Sequence, residues 1–164
     1  MEEQEYYRFK IKALRSFFTP RKYEVFDAVT QELKYTCHFK GKAKFRCFLY
    51  DLKGEVILEA QKQKWMKTNL NYTIFKNEEE IAKFGRHNLT FPQRGTELIT
   101  KSQTYKGFKG KYTDDEGKEV FSIEAKGITL KLSARELFVD VDLNFDINLA
   151  IIVSLILYFY MFEN

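Results

Sequence analysis

The last stretch of the chain constrains its fold more than any other. From Ile147 to Phe162, sixteen residues follow one another with only Asn148 and Ser154 plainly polar. That length favours a helix over a strand, and Asp146 stands just before the run, where an N-cap belongs. The β-branched trio Ile151, Ile152 and Val153 weighs slightly the other way. A helix that is apolar on every side cannot rest on a surface and must be surrounded. A bilayer could surround it. However, sixteen residues at about 1.5 Å rise span only about 24 Å, against a hydrocarbon core of about 30 Å. The flanks, Asp146 and Glu163, also offer no basic anchor. The alternative is the chain's own sheet. A closed barrel of about eleven strands can wrap a helix, whereas eight strands leave room only for their own side chains.

The rest of the chain supplies strands in that number. Tyr7, Phe9, Ile11 and Ala13 alternate with Arg8, Lys10 and Lys12, and Leu33, Tyr35, Cys37 and Phe39 with Lys34, Thr36, His38 and Lys40. Leu137, Val139, Val141, Leu143 and Phe145 alternate with Phe138, Asp140, Asp142, Asn144 and Asp146 in the same way. A period of two gives a strand with one wet and one buried face. Further segments are expected at 22–27, 44–51, 55–62, 70–76, 80–85, 96–104, 108–113, 118–125 and 128–133. Asp51–Gly54 and Asp114–Gly117 read as hairpin turns, with glycine free to take positive φ. These two turns sit in an internal echo, FLYDLKGEVILEAQK and KYTDDEGKEVFSIEAK. The stretch Gly85–Gly95, which holds Pro92, is expected to be a long loop. The fold expected is mainly β: a closed antiparallel barrel of about twelve strands enclosing a C-terminal apolar α-helix. Residues 1–164 form a single domain, with strands over about 6–145 and the core helix over about 147–162.

Charge is unevenly spread. The chain carries +4; from Leu137 onward there are three Asp, one Glu and no Lys or Arg, so residues 1–136 carry +8. A basic body suits polyanionic partners. Cys37 and Cys47 stand symmetrically about a turn near Lys42, so a disulfide is geometrically conceivable. Two cysteines are no disulfide framework, though. The start, MEEQEYYRFKIK, lacks the apolar core of a signal peptide. Free thiols and a cytoplasmic setting, peripheral at a membrane, are therefore expected.

The order of these elements resembles the tubby C-terminal-like superfamily, nearest its LURP-one-related and phospholipid-scramblase branches. Tyr23–Phe39 (YEVFDAVTQELKYTCHF) resembles the early hairpin, and Phe45–Gln63 (FRCFLYDLKGEVILEAQKQ) the strand–turn–strand unit that follows. Asn71–His87 (NYTIFKNEEEIAKFGRH) is similar to the next unit. Leu137–Tyr160 (LFVDVDLNFDINLAIIVSLILYFY) is similar to the closing strand, acidic break and core helix. The resemblance implies a twelve-stranded barrel threaded by its C-terminal helix. It also implies lipid chemistry: phosphoinositide head groups in tubby domains, phospholipid and calcium in scramblases. Fold does not transmit function, and no head-group-binding residue of that family is carried onto a position here.

Asp140, Asp142, Asn144 and Asp146 resemble the opening of an EF-hand loop. The sixth position, which must be glycine, is Phe145, and the twelfth, which must be glutamate, is Ile151, so an EF-hand is excluded. The four remain a weak calcium candidate beside the simpler view that an amphipathic strand has a solvated acidic face. Two basic stretches are the ligand-binding candidates: Lys40, Lys42, Lys44 and Arg46 at one hairpin, and Lys106, Lys109 and Lys111 among aromatics. Such residues neutralise phosphates or sit on anionic lipid; the simpler view is again a solvated strand face. No RNA-recognition signature accompanies them, which argues against nucleic acid.

No catalytic constellation stands out. His38 and its neighbour Cys37 should point to opposite faces of one strand, and His87 has no nucleophile motif nearby. No cofactor is expected, and no small-molecule substrate is indicated. The expectation is a non-enzymatic binding module that engages an anionic membrane surface or a protein partner. The alternatives are a tail-anchored membrane protein held by residues 147–162, and an enzyme whose site assembles only in three dimensions.

Overall fold

Alternation of apolar residues with lysines and glutamates produces twelve strands among the described residues. The structure is a computed structural model that describes residues 6–14, 22–40, 46–62, 71–85, 88–91, 96–101, 109–114, 116–126 and 136–162. The strands are β1 (Tyr6–Leu14), β2 (Lys22–Asp27), β3 (Leu33–Lys40), β4 (Arg46–Tyr50), β5 (Val56–Lys62) and β6 (Tyr72–Lys76). They continue as β7 (Glu79–Phe84), β8 (Asn88–Phe91), β9 (Thr96–Lys101), β10 (Lys109–Thr113), β11 (Glu119–Lys126) and β12 (Glu136–Asp142). One helix, α1 (Ile147–Phe162), follows. The chain is thus mainly β, an antiparallel sheet with a single C-terminal helix. Each strand pairs with its neighbours in sequence, and β1 hydrogen-bonds to β2 on one side and to β12 on the other.

The inward set of side chains follows the alternation. Ile11, Val25, Cys47, Leu49, Ala60, Ile74, Leu137, Val139 and Val141 are all fully buried. So is every side chain of α1 from Leu149 to Phe159. Ala60 lies opposite Cys47 on β4 and opposite Ile74 on β6. These small residues let the backbones of β4 and β5 approach α1, which also approaches β12. Asp146 caps α1 as expected. Its Oδ1 accepts the Leu149 N–H at 3.2 Å and its carbonyl accepts that of Ala150 at 3.1 Å.

Antiparallel order places chain connections alternately at two ends of the sheet. The end at which α1 begins carries the turns after β2, β4, β6, β10 and β12. The echoed hairpins β4–β5 and β10–β11 share the same hydrogen bonds there among the described residues. In each, the aspartate Oδ1 accepts two backbone N–H groups, from Lys53 and Glu55 to Asp51 and from Glu116 and Lys118 to Asp114, at 2.9–3.0 Å. The glycine three residues on, Gly54 or Gly117, has φ near +80° and donates to the aspartate carbonyl. A register shift precedes both turns, between Leu49 and Tyr50 and between Tyr112 and Thr113. Such bulges add local twist.

The β6–β7 turn reaches the same end differently. Asn77 and Glu78 both have positive φ, +50° and +67°, the pattern of a two-residue hairpin turn that favours Asn-Gly. Glutamate in that region costs about 1–2 kcal/mol, part of which glycine would return as unfolded-chain entropy. Glu78→Gly should therefore stabilise the protein by about 0.5–1 kcal/mol. A urea titration showing no gain, or a loss, would mean that the Glu78 side chain contributes more than its backbone strain costs.

Two expectations change. The stretch Gly85–Gly95 is not one loop, because β8 lies within it and pairs with both β7 and β9. Leu89 is fully buried and faces the core. The last strand ends at Asp142, not Phe145, because Asp142 turns the chain: its Oδ1 accepts the Asn144 N–H at 2.8 Å and its carbonyl that of Phe145 at 3.0 Å. The segment 128–133 lies outside the described residues; β11 and β12 pair directly, Lys126 opposite Glu136.

Candidate polyanion-binding surface

The β3–β4 hairpin places Lys40 and Arg46 directly opposite each other. Both are exposed. Like charges opposite one another destabilise a strand pair, and here one aromatic ring serves both. Lys40 Nζ lies 5.3 Å and Arg46 Cζ 6.0 Å from the Phe48 ring centroid. Arg46 Nε also meets Glu59 Oε1 at 3.1 Å, with half its side chain still in solvent. Lys62, at the end of β5, is half-buried, and burial holds its pKa below the usual lysine value.

His38 shares this outer face, opposite Lys22 on β2 and Phe48 on β4. Cys37 points inward, so the two do not meet as nucleophile and base. Burial, then the charges of Lys40 and Lys22, hold the His38 pKa below its ordinary value of 6.5. Nε2 is buried and finds no hydrogen-bond partner among the described residues. With the folded pKa depressed, the unfolded chain binds the proton more readily. The stability at issue is complete above pH 6.5 and is lost as pH falls from there through the folded value. His38→Gln should lose less stability than the parent protein between pH 7 and pH 5. Equal losses in parallel urea titrations would remove His38 from that role.

The other basic group sits elsewhere. Lys109 and Lys111 lie on β10, five strands from β3 around the sheet, and Lys111 is exposed, 3.5 Å from Glu119. The sheet therefore separates the four described basic candidates into two pairs, Lys40 with Arg46 and Lys109 with Lys111. Lys42, Lys44 and Lys106 lie outside the described residues, as does His87. Chain order hid a further signal, because it depends on register: Lys101 on β9 stands opposite Lys111. Among the described residues this pair and Lys40–Arg46 are the two that set like charge opposite like. Elsewhere the ladder matches signs, as in Arg8–Asp140, Lys12–Glu136, Lys76–Glu79 and Lys109–Glu124.

The acidic candidates are divided as well. Asp140 and Asp142 line a cleft of about 350 Å³ with Tyr6, Arg8, Glu119 and Phe121. Its charges are already matched. Arg8 Nε and Nη2 grip both Asp140 oxygens at 2.7 and 3.0 Å, which raises the Arg8 pKa through that bond and its charge. Lys118 Nζ lies 3.4 Å from Asp142. Asn144 and Asp146 line a second cleft, of about 230 Å³, with Lys76, Ile81, Phe91, Phe145 and Leu149. Asp146 is engaged in capping α1. Among the described residues no three His, Cys, Asp or Glu gather where they could hold a metal ion.

Cys37 and Cys47 are free thiols, both buried, with Sγ atoms 3.3 Å apart. They are diagonal neighbours: Cys37 faces Leu49, and Cys47 faces Phe39. Burial, then the contact with Cys37, pushes the Cys47 thiol well above its usual value, so it stays protonated and a poor nucleophile.

No protein-family model matches this chain, and neither a curated protein nor a solved structure matches it. Among the described residues, no helix is long and apolar enough to cross a membrane.

Proposed function

We propose that this chain is a closed barrel wrapped around its own C-terminal helix, of the tubby C-terminal-like kind. In this proposal it serves as a non-enzymatic module that engages anionic phospholipid at the cytoplasmic face of a membrane. The pairing of β1 with both β2 and β12 supports the barrel. So does the burial of α1, which approaches β12 on one side and β4 and β5 on another. The lipid class follows from the resemblance drawn from the sequence and from the exposed basic residues of β3 and β4.

One observation carries the binding role: Lys40 and Arg46, exposed and opposed across β3 and β4. Two cations facing each other cost stability when nothing lies between them and bind well when a phosphate does. Sedimentation with vesicles tests the proposal. Protein recovered with phosphatidylserine-containing vesicles, and left in the supernatant with phosphatidylcholine alone, is the expected result. Equal recovery with both would remove lipid as the partner and leave a protein partner as the reading to pursue.

A further inference from the structure

Lys40–Arg46 and Lys101–Lys111 lie five strands apart around the sheet, too far to share one lateral face. They do share an end. Lys40 finishes β3 and Arg46 opens β4, while Lys101 finishes β9 opposite Lys111, two residues from the start of β10. The same end of the sheet holds Lys22 at the start of β2, Lys62 at the end of β5 and Lys83 one residue before the end of β7. Lys109 opens β10 and Lys126 finishes β11 there as well. Against these stands Glu136 at the start of β12. The opposite end has the reverse sign. Asp27, Glu79, Glu80, Glu97, Glu119 and Asp142 lie in the terminal two residues of their strands, against Lys34 and Lys76. The turns there add Glu32, Asp51, Glu55, Glu78, Asp114, Glu116 and Asp146, against Lys53 and Lys118. The molecule is polar along its strand direction: basic where α1 finishes, acidic where it begins.

We infer that the membrane is met end-on. The plane of an anionic bilayer lies across the basic pole, and the acidic pole is held away from it. This rests on the lipid-binding proposal above and adds the face and the orientation. Twelve strands at about 4.8 Å spacing, tilted by about 40° as barrel strands are, ring an end about 24 Å across. Cations spread around such a ring can all reach a flat anionic surface, whereas a nucleic-acid strand would need them in one line. The acidic pole adds orientation by repulsion, and the exposed, opposed Lys40 and Arg46 gain most because a lipid phosphate can lie between them.

The test compares two variants with the same change in net charge. One carries Lys22→Glu, Lys40→Glu and Lys83→Glu at the basic pole; the other carries Lys34→Glu, Lys76→Glu and Lys118→Glu at the acidic pole. The partner is phosphatidylserine-containing vesicles at low salt. A basic group near an anionic surface is worth about a five-fold change in affinity. The basic-pole variant should therefore lose roughly 100-fold or more, and the other much less. Equal losses would overturn the end-on geometry while leaving lipid binding intact. A parent protein that ignores these vesicles would overturn the lipid proposal itself, and one that shifted single-stranded RNA instead would replace it. Hydrogen exchange on the parent protein decides independently of any variant. Bound vesicles should slow exchange around residues 40, 46, 62 and 83 and leave the turns at Asp51 and Asp114 unchanged; slowing at those turns instead would reverse the orientation and overturn the inference.

Discussion

Deletion of residues 147–164 is expected to leave a chain with no cooperative unfolding transition. Every side chain from Leu149 to Phe159 is at most 5% exposed. Nine of them are large and apolar, and burial of each is worth about 1.5–3 kcal/mol. Their sum equals or exceeds the about 5–15 kcal/mol that holds a domain folded. A point change makes the same test without shortening the chain. Ser154 is fully buried, and its hydroxyl donates to the Ala150 carbonyl at 2.6 Å. Ser154→Arg would place a guanidinium there without a partner, at a cost of several kcal/mol. Ser154→Ala removes only a hydroxyl whose acceptor keeps its helical bond, and should cost about 1 kcal/mol or less. Thermal melts followed by circular dichroism separate the three. A Ser154→Arg protein that melts like its parent would mean that α1 is not enclosed.

The second large effect lies where α1 ends. Phe39 stacks on Phe159 with centroids 4.3 Å apart and planes 11° apart, and Tyr23 meets both Phe39 and Tyr158 edge-on at 5.5 Å. This cluster ties the helix to β2 and β3 just beneath Lys40. Phe39→Ala should cost about 3–5 kcal/mol. The stacking is best isolated by pairing Phe39→Leu with Phe159→Leu, which keeps most of the apolar volume. Aromatic pairs couple by about 0.5–1.5 kcal/mol beyond area. A double-mutant cycle giving zero coupling would mean that the two rings fill space without recognising each other.

The helix was legible because its signal is local and long. An apolar run bounded by Asp146 and Glu163 can be little else, and α1 occupies the residues expected. Most strands were legible for the same reason, since alternation in β1, β3 and β12 is a property of neighbours in the chain. The shortest strand was not. In Asn88–Phe91, four residues alternate no more convincingly than a loop does, and only pairing with β7 and β9 makes them a strand. The end of β12 was misjudged because alternation continues through Phe145 while Asp142 has already turned the backbone. Similarly, symmetry about Lys42 suggested that Cys37 and Cys47 oppose each other; the β3–β4 register makes them diagonal.

The basic site was legible in part, as residues without their arrangement. Lys40 and Arg46 lie close in the chain, so their hairpin was visible. That Lys101 would oppose Lys111 depends on where β9 and β10 come into register, and no local pattern states that. The split between a basic and an acidic end was hidden for a related reason. Successive strands run in opposite directions, so charges gathered at one end in space are scattered through the chain from Lys22 to Lys126.

The pairing of β1 with β12 carries a consequence for how the molecule is made. β1 leaves the ribosome long before its partner β12, and the buried helix α1 is synthesised after both. Until then the apolar faces of β2 to β11 have nothing to cover them. Long-range closure of this sort is slow and prone to aggregation, so synthesis should be the stage at which this protein depends most on chaperones.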